Sequence, residues 1–312
     1  MEIMFNQRTI FGTGVFLLSM LTTSVLTVRL ENNLSNAAPE ISENPKPSYA
    51  AAISLPTIDD GTIEAESYVV STASGVALKE RRSRKPLPIA SLTKIMTALL
   101  LKERGGEAVI LISDTAKNTT PKESDLPVGE TITGETARIL VLVESDNDVA
   151  EAAAAAIGAL IEPDVNPRDA FIRGMNRKAS RLGMLSTQFQ NPTGLDEQGH
   201  YSSAADLVKL LAYIDLRHPD FWDITASPPP AVRGLSGKTY AVKSSSLLVS
   251  YPGLVGTKTG LTDEAMGALA LKYRLTEFPE DIYIILLRSP DRFRDGEKLL
   301  AAVKRAFQVE LK

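Results

Sequence analysis

Ser91-Leu92-Thr93-Lys94 puts a hydroxyl and an amine three positions apart, where the apolar spacing of a helix begins. On a helix this spacing sends both side chains from one face, about one turn apart, so that they can touch. A serine hydroxyl needs a base to become a nucleophile. Lysine, ordinarily near a pKa of ~10.4, serves as one only where burial or a neighbouring cation lowers that value. The amino end of a helix adds positive potential at the same place. Ser145-Asp146-Asn147 follows the apolar stretch 139–143 and falls at a break between two helical patterns. From such a corner Ser145 could pass a proton between a leaving nitrogen and the lysine, and Asn147 could hold a substrate amide through its paired donor and acceptor. The same residue types also cap helices. Ser42-Glu43-Asn44 repeats the Ser-x-Asn pattern in a stretch without helical period, so this cluster says little alone. Lys258-Thr259-Gly260 ends an apparent strand. Its cation and hydroxyl suit a carboxylate, and its glycine lets a ligand approach an edge backbone. Ser-x-x-Lys and Lys-Thr-Gly each occur once, and the order of the three clusters is more specific than any one of them.

The elements that must position these residues follow from periodicity. Helical spacing runs from residue 91 through Ile95, Met96, Leu99 and Leu100 to the stop at Gly105-Gly106. Further helices are expected over 134–143, 146–160, 168–182 and 203–213. Pro167 suits a first helical turn, and Ser203 with Asp206 resembles a capping box. The run Ala152–Ala156 predicts close helix packing through small side chains. Strands are expected over 64–70 and 75–78, then over 254–258, 265–273 and 281–288, with a final helix over 291–307. Strands at both ends enclosing a helical insertion imply one antiparallel sheet shared by the two termini. The charged run Lys79–Lys85 is expected to be a solvated strand end.

Composition narrows the field. With 34 basic and 38 acidic residues the net charge is -4, so no overall positive field attracts nucleic acid, and no nucleic-acid partner is expected. The chain has no cysteine, which excludes disulfides, thiolate catalysis and thiolate metal sites. Its two histidines, His200 and His218, are too few for a multi-imidazole zinc site, and both are expected at the surface. The twenty residues from Thr9 to Val28 carry no charge and lie between Arg8 and Arg29. Residues 1–30 are therefore expected to form a membrane anchor or signal segment, with Ser35-Asn36-Ala37 as a candidate cleavage site and an uncleaved anchor favoured. Residues 31–50, rich in Asn, Ser, Ala and Pro, are expected to be a flexible linker, and 51–312 a catalytic domain.

At the level of these motifs the sequence resembles the serine D-alanyl-D-alanine carboxypeptidases among the penicillin-binding proteins, peptidase family S11, and shares its three signatures with serine β-lactamases. The likeness spans about 67–307 and extends to Pro88-Ile89-Ala90 before Ser91, to Asn191-Pro192-Thr193-Gly194-Leu195-Asp196, and to His200-Tyr201-Ser202-Ser203-Ala204-Ala205-Asp206-Leu207. It implies an α+β fold: an antiparallel sheet flanked by helices, an all-helical lobe, and the site between them. It implies that Ser91 forms an acyl-enzyme, that Lys94 is its base and that Ser145 protonates the departing D-alanine. Lys258 and Thr259 would hold the terminal carboxylate, with Asn147 and Gly260 completing the substrate-binding set. Backbone N–H groups of Ser91 and Leu261 would form an oxyanion hole, where each donor is worth ~10²-fold or more in rate. No metal or cofactor is implied. The partners implied are peptidoglycan stem peptides as substrate, β-lactam antibiotics as covalent inhibitors, and a membrane reached through the amino-terminal segment. The location is then the outer face of the cytoplasmic membrane, or outside the cell if that segment is cleaved.

The segment Thr262–Gly267 lacks the polar Asn or Arg often found on this strand in relatives, and the sequence ends just beyond the last helix, so the amino-terminal segment is expected to supply attachment. The alternatives are a DD-endopeptidase acting on cross-links, a serine β-lactamase, and a tethered wall-binding protein without catalysis. Glu162-Pro163-Asp164-Val165-Asn166 superficially matches the deacylating loop of class A β-lactamases. Glu162 comes only 15 residues after Asn147, behind a helix that should carry it away, so it is expected to be a solvated helix-end residue. A phosphate loop at Gly237-Lys238-Thr239 is excluded by Val232, which stands where the motif's first glycine must be.

Overall fold

The computed structural model describes residues 62–106, 108–119, 125–276 and 278–310. Its strands are β1 (Ser67–Thr72), β2 (Ala77–Arg81), β3 (Val109–Leu111), β4 (Thr131–Thr133), β5 (Ala231–Arg233), β6 (Thr239–Ala241), β7 (Leu254–Thr262), β8 (Met266–Tyr273) and β9 (Ile282–Ser289). Its helices are α1 (Thr93–Arg104), α2 (Asp114–Thr119), α3 (Gly134–Ile139), α4 (Asn147–Ile161), α5 (Pro167–Arg181), α6 (Ala204–Arg217), α7 (Asp223–Ala226) and α8 (Arg292–Glu310). The amino-terminal segment 1–30 and the linker 31–50 lie outside the described residues.

Period-two alternation builds the main sheet, whose order is β2-β1-β9-β8-β7 with every neighbouring pair antiparallel. Val69, Ala268, Ala270, Ile285 and Leu287 share one core with Leu92, Ile95 and Leu99. The alternate residues Tyr68, Val70, Leu269, Leu271, Ile284 and Leu286 share another with Leu299, Leu300 and Val303 of α8. Both faces are covered, which is why β1 is buried at every position although its sequence alternates little. β1 lies between β2 and β9, so the two ends of the catalytic region meet in one sheet, with the helical lobe inserted between them.

Side-chain caps set the helix starts in that lobe. Asp146 Oδ1 accepts from Val149 N at 2.9 Å ahead of α4, and Asn166 Oδ1 accepts from Asp169 N at 3.3 Å ahead of α5, whose first residue is Pro167. Ser203 Oγ accepts from Asp206 N at 3.2 Å ahead of α6. The alanine run of α4 lets α5 approach so closely that a Cβ added at Gly158 would lie 1.7 Å from the Pro167 carbonyl oxygen.

Several elements differ from the sequence expectation: β2, expected over 75–78, spans Ala77–Arg81, and the short β3, β4, β5, β6, α2 and α7 were not expected. The helix expected over 134–143 is α-helical only to Ile139, and Leu140–Glu144 continue as a π-turn. The strand expected to stop at Lys258 runs on to Thr262, because Lys258, Thr259 and Gly260 pair with Ala270, Leu269 and Ala268 of β8. Lys-Thr-Gly is thus part of an edge strand, not the turn after one.

Candidate active site

The backbone in front of α1 is strained. Ala90 has φ +46°, a left-handed conformation that costs an L-residue roughly 1–2 kcal/mol. Two glycines from distant segments close around it. A Cβ on Gly194 would sit 1.9 Å from Ala90 O, and one on Gly260 would sit 2.9 Å from both Ala90 Cβ and Ser91 N. Glycine at 260 therefore brings the edge of β7 directly against the residue expected to be the nucleophile.

Ser91 belongs to a 3-10 turn, Ala90–Leu92, that leads into α1, and Lys94 projects from the first turn of that helix. Lys94 is fully buried. Its Nζ lies 3.0 Å from Ser91 Oγ, 2.5 Å from Asn147 Oδ1 and 2.8 Å from the Thr193 carbonyl. The last two partners can only accept, so each requires a proton from Nζ. Ser91 Oγ can accept or donate. A neutral amine would satisfy both acceptors with its two N–H groups and turn its lone pair to the Ser91 hydroxyl, which is the arrangement a general base needs.

The π-turn delivers Ser145. Asp146 N reaches back to Leu140 O at 3.2 Å, and Ser145 ends the turn with φ +68° before Asp146 caps α4. This break turns the Ser145 side chain away from both helices, where Lys258 Nζ donates to its Oγ at 2.8 Å. Lys258 is buried and also donates to Thr259 O at 2.8 Å. Thr259 Oγ1 donates to Ser245 Oγ at 3.1 Å, and Ser245 Oγ donates to Val143 O at 3.0 Å. Asn147 is the first residue of α4, two positions beyond Ser145, so one corner links the Ser91–Lys94 pair with the Lys258–Thr259 pair. Leu261 follows Gly260 on β7 with its side chain exposed. Beside the corner, burial pushes the Glu144 carboxyl up; the Lys243 N–H it accepts opposes this, and Asp146 adds to it.

Several contributors escaped the sequence. Ser245 lies in the run Ser244–Ser246, whose only signal was local composition. Thr193 acts through its carbonyl, which any residue supplies. Its loop is held by Asn191, whose Oδ1 accepts from Thr193 N, Thr193 Oγ1 and Gly194 N. His200 corrects the expectation of a surface histidine. It is buried, its Nδ1 accepts from Gln190 N at 3.1 Å, and its Nε2 therefore donates to Thr93 Oγ1 at 2.7 Å. Burial, opposed by Asp196, lowers its pKa to about 4. His218 is half-buried, 3.6 Å from Glu103, and so is not a free surface residue either. Glu162 ends α4 in ion pairs with Arg173, at 2.6 Å, and Arg177. The helix carries it about 22 Å from Asn147 at 1.5 Å per residue. Among the described residues no three His, Cys, Asp or Glu side chains gather as a metal site.

Residues 53–273 match the family described as D-alanyl-D-alanine carboxypeptidase, peptidase S11. The chain belongs to this family. It is 34% identical over 221 residues to the D-alanyl-D-alanine carboxypeptidase DacF of Bacillus subtilis, covering 68% of this chain and 53% of that protein. The chain thus spans about half the length of that relative. It is 28% identical over 227 residues to a D-alanyl-D-alanine endopeptidase of Pseudomonas aeruginosa, covering 70% of each. The ampicillin-bound structure of penicillin-binding protein D2 from Listeria monocytogenes superposes with a TM-score of 0.62 at 27% identity, over 79% of this chain and 99% of that one. The family's mixed fold, an antiparallel sheet flanked by helices with a helical lobe, is the fold described above.

Proposed function

We propose that this protein is a serine hydrolase that cleaves the terminal D-Ala-D-Ala of peptidoglycan stem peptides through an acyl-enzyme on Ser91. The observation that supports this reading most directly is the placing of buried Lys94, whose amine meets two acceptor-only partners and the Ser91 hydroxyl at 3.0 Å. Ser91 Oγ attacks the carbonyl carbon between the two D-alanines while its proton passes to Lys94 Nζ. The oxyanion is held by the backbone N–H groups of Ser91 and Leu261. The proton on Lys94 then moves through Ser145 to the nitrogen of the departing D-alanine as the C–N bond breaks. Lys258, hydrogen-bonded to Ser145 Oγ, keeps that hydroxyl in place and, with Thr259, offers a cation and a hydroxyl to the substrate's terminal carboxylate. Asn147 and Gly260 line the same cleft. Water attacks the ester in the second half-reaction while Lys94 takes one of its protons, and that proton passes to Ser91 Oγ as the bond from Ser91 to the acyl carbon breaks and the shortened peptide leaves. A β-lactam enters the first half-reaction in the same way and stays on Ser91.

Labelled penicillin should mark the wild type and not Ser91→Ala, and the substitution should lower peptide turnover by on the order of 10⁴-fold or more. Labelling of Ser91→Ala would refute the assignment. Failure of the wild type to label would favour a wall-binding protein without catalysis. Rapid turnover of a chromogenic β-lactam would favour a β-lactamase, against which the remote, Arg-paired Glu162 stands. Similarity to the Pseudomonas endopeptidase supports a second activity on cross-links, tested by mass analysis of products from monomeric and cross-linked wall fragments.

The reading extends to location. No helix among the described residues is long and apolar enough to cross a membrane. The charge-free stretch Thr9–Val28 would tether the enzyme to the outer face of the cytoplasmic membrane, where it would trim the wall and influence cell shape. The full chain should then sediment with membranes after alkaline extraction, and a chain lacking residues 1–50 should not.

A further inference from the structure

The hairpin between β7 and β8 carries Lys258, Thr259, Gly260 and Leu261 at the open edge of the sheet, yet its tip is bonded to a loop on the other side of the nucleophile. Asp196 Oδ1 accepts from Thr262 Oγ1 at 2.6 Å, and Asp196 Oδ2 accepts from Glu264 N at 3.0 Å. Thr262 Oγ1 in turn accepts from Ala265 N at 3.1 Å, so the carboxylate also organises the turn that closes the hairpin. That turn is not relaxed: Met266, which pairs with Thr262, has φ +52°. Asp196 lies just beyond Thr193, whose carbonyl accepts from Lys94, and Gly194, which presses on Ala90. Its loop is stiffened by Asn191, whose Nδ2 donates to Leu195 O and to Glu197 Oε2.

We propose that Asp196 is a positioning residue, a latch that ties the β7–β8 hairpin to the loop behind Ser91 and Lys94 and so fixes Leu261 and the Lys-Thr-Gly segment relative to the nucleophile. Its two carboxylate oxygens each receive one hydrogen bond, one from a side chain and one from the backbone of the hairpin turn, and hydrogen bonds to a carboxylate are about twice as strong as neutral ones. β7 pairs only with β8, so no second strand holds its open edge. Misplacement of catalytic groups by about 1 Å costs on the order of 10²-fold in rate. The latch therefore acts on the rate of acylation more than on the affinity of the first complex. This rests on the Ser91 acyl-enzyme reading above.

The test compares wild type with Asp196→Ala, Asp196→Asn, Thr262→Val and the double variant Asp196→Ala/Thr262→Val. Asp196 is exposed, so the variants should melt within a few degrees of the wild type. Stopped-flow acylation by a fluorescent penicillin should slow 10- to 100-fold in Asp196→Ala, with the half-saturating concentration changed less than threefold. Asp196→Asn, which keeps one acceptor, should recover part of the rate, and the double variant should be no slower than Asp196→Ala. A wild-type acylation rate in Asp196→Ala, or effects of the two single variants that simply multiply, would overturn the latch. Hydrogen exchange followed by mass spectrometry gives a readout independent of chemistry: Asp196→Ala should speed exchange in peptides covering 261–267 and 193–199. Unchanged exchange there would overturn the latch even if the protein does not react with penicillin, whereas faster exchange in Asp196→Ala together with a wild type that never labels would leave the latch standing and sink the acyl-enzyme.

Discussion

Lys94 shows how much can rest on one buried group that touches Ser91, Asn147 and Thr193 at once. Replacing it with Met keeps the length and removes the amine. Asn147 Oδ1 and Thr193 O then lose their donor, at about 1–3 kcal/mol each, and Ser91 loses its base. Lys94→Met should cut penicillin acylation by on the order of 10³-fold or more and lower the melting temperature, both read on the same preparation. His200 gives a second prediction at this scale. Its pKa falls from an ordinary 6.5 to about 4 in the folded protein. Between those values the unfolded chain holds a proton that the native protein lacks, so His200 leaves stability untouched above the upper value and erodes it as pH falls toward the lower one. The loss is on the order of 3 kcal/mol when complete. Urea unfolding at pH 7 and pH 4.5 should show a larger drop for wild type than for His200→Gln. An equal drop would show that the imidazole is not the group responsible. The motifs named Ser91, Lys94, Ser145, Asn147, Lys258 and Thr259 because the chemistry proposed for them would lie in their side chains. Thr193 stayed hidden because its contribution is a carbonyl, and His200 because one histidine in a polar stretch carries no mark of burial.

At the scale of elements, two turns and two glycines set the geometry. Gly194, with φ +85°, cannot gain a methyl group without meeting Ala90 O at 1.9 Å. Gly194→Ala should destabilise the fold by on the order of 3 kcal/mol, read by denaturant titration. Gly260→Ala meets Ala90 Cβ and Ser91 N at 2.9 Å, so the nucleophile rather than the fold should bear the disturbance. Its acylation rate should fall by more than its melting temperature implies. The helices α1, α3, α4, α5, α6 and α8 and the five strands of the main sheet were legible from their apolar periods, whereas α2, α7 and β3–β6 are too short to show one. The π-turn at Leu140–Glu144 was not legible, since four apolar residues and a glutamate cannot distinguish a wider turn from an ordinary one. The end of β7 was misread for another reason: Thr-Gly has turn composition, and only pairing with β8 overrides that local preference.

For the whole molecule, the sheet's second face depends on α8. Leu299, Leu300 and Val303 are fully buried against strands from both ends of the chain, and each such side chain contributes roughly 1.5–3 kcal/mol. A chain ending at Asp291 should therefore fail to give soluble, cooperatively unfolding protein, judged by circular dichroism on heating. The sequence announced the shared sheet through strands at its two ends, but which strand neighbours which was a matter of tertiary pairing.

That pairing also sets a timetable. Ser67 lies opposite Leu287, so the inner strand of the sheet waits for a partner that emerges more than two hundred residues later. Contacts this far apart form slowly, because a long loop must close before they repay its entropy. During synthesis there is thus a stage at which Ser91 has emerged but the β7 edge, β9 and the covering helix are still to come. Reactivity toward penicillin should appear all at once, only after the last segment is free, and pulse-labelled nascent chains captured with the antibiotic should be full length.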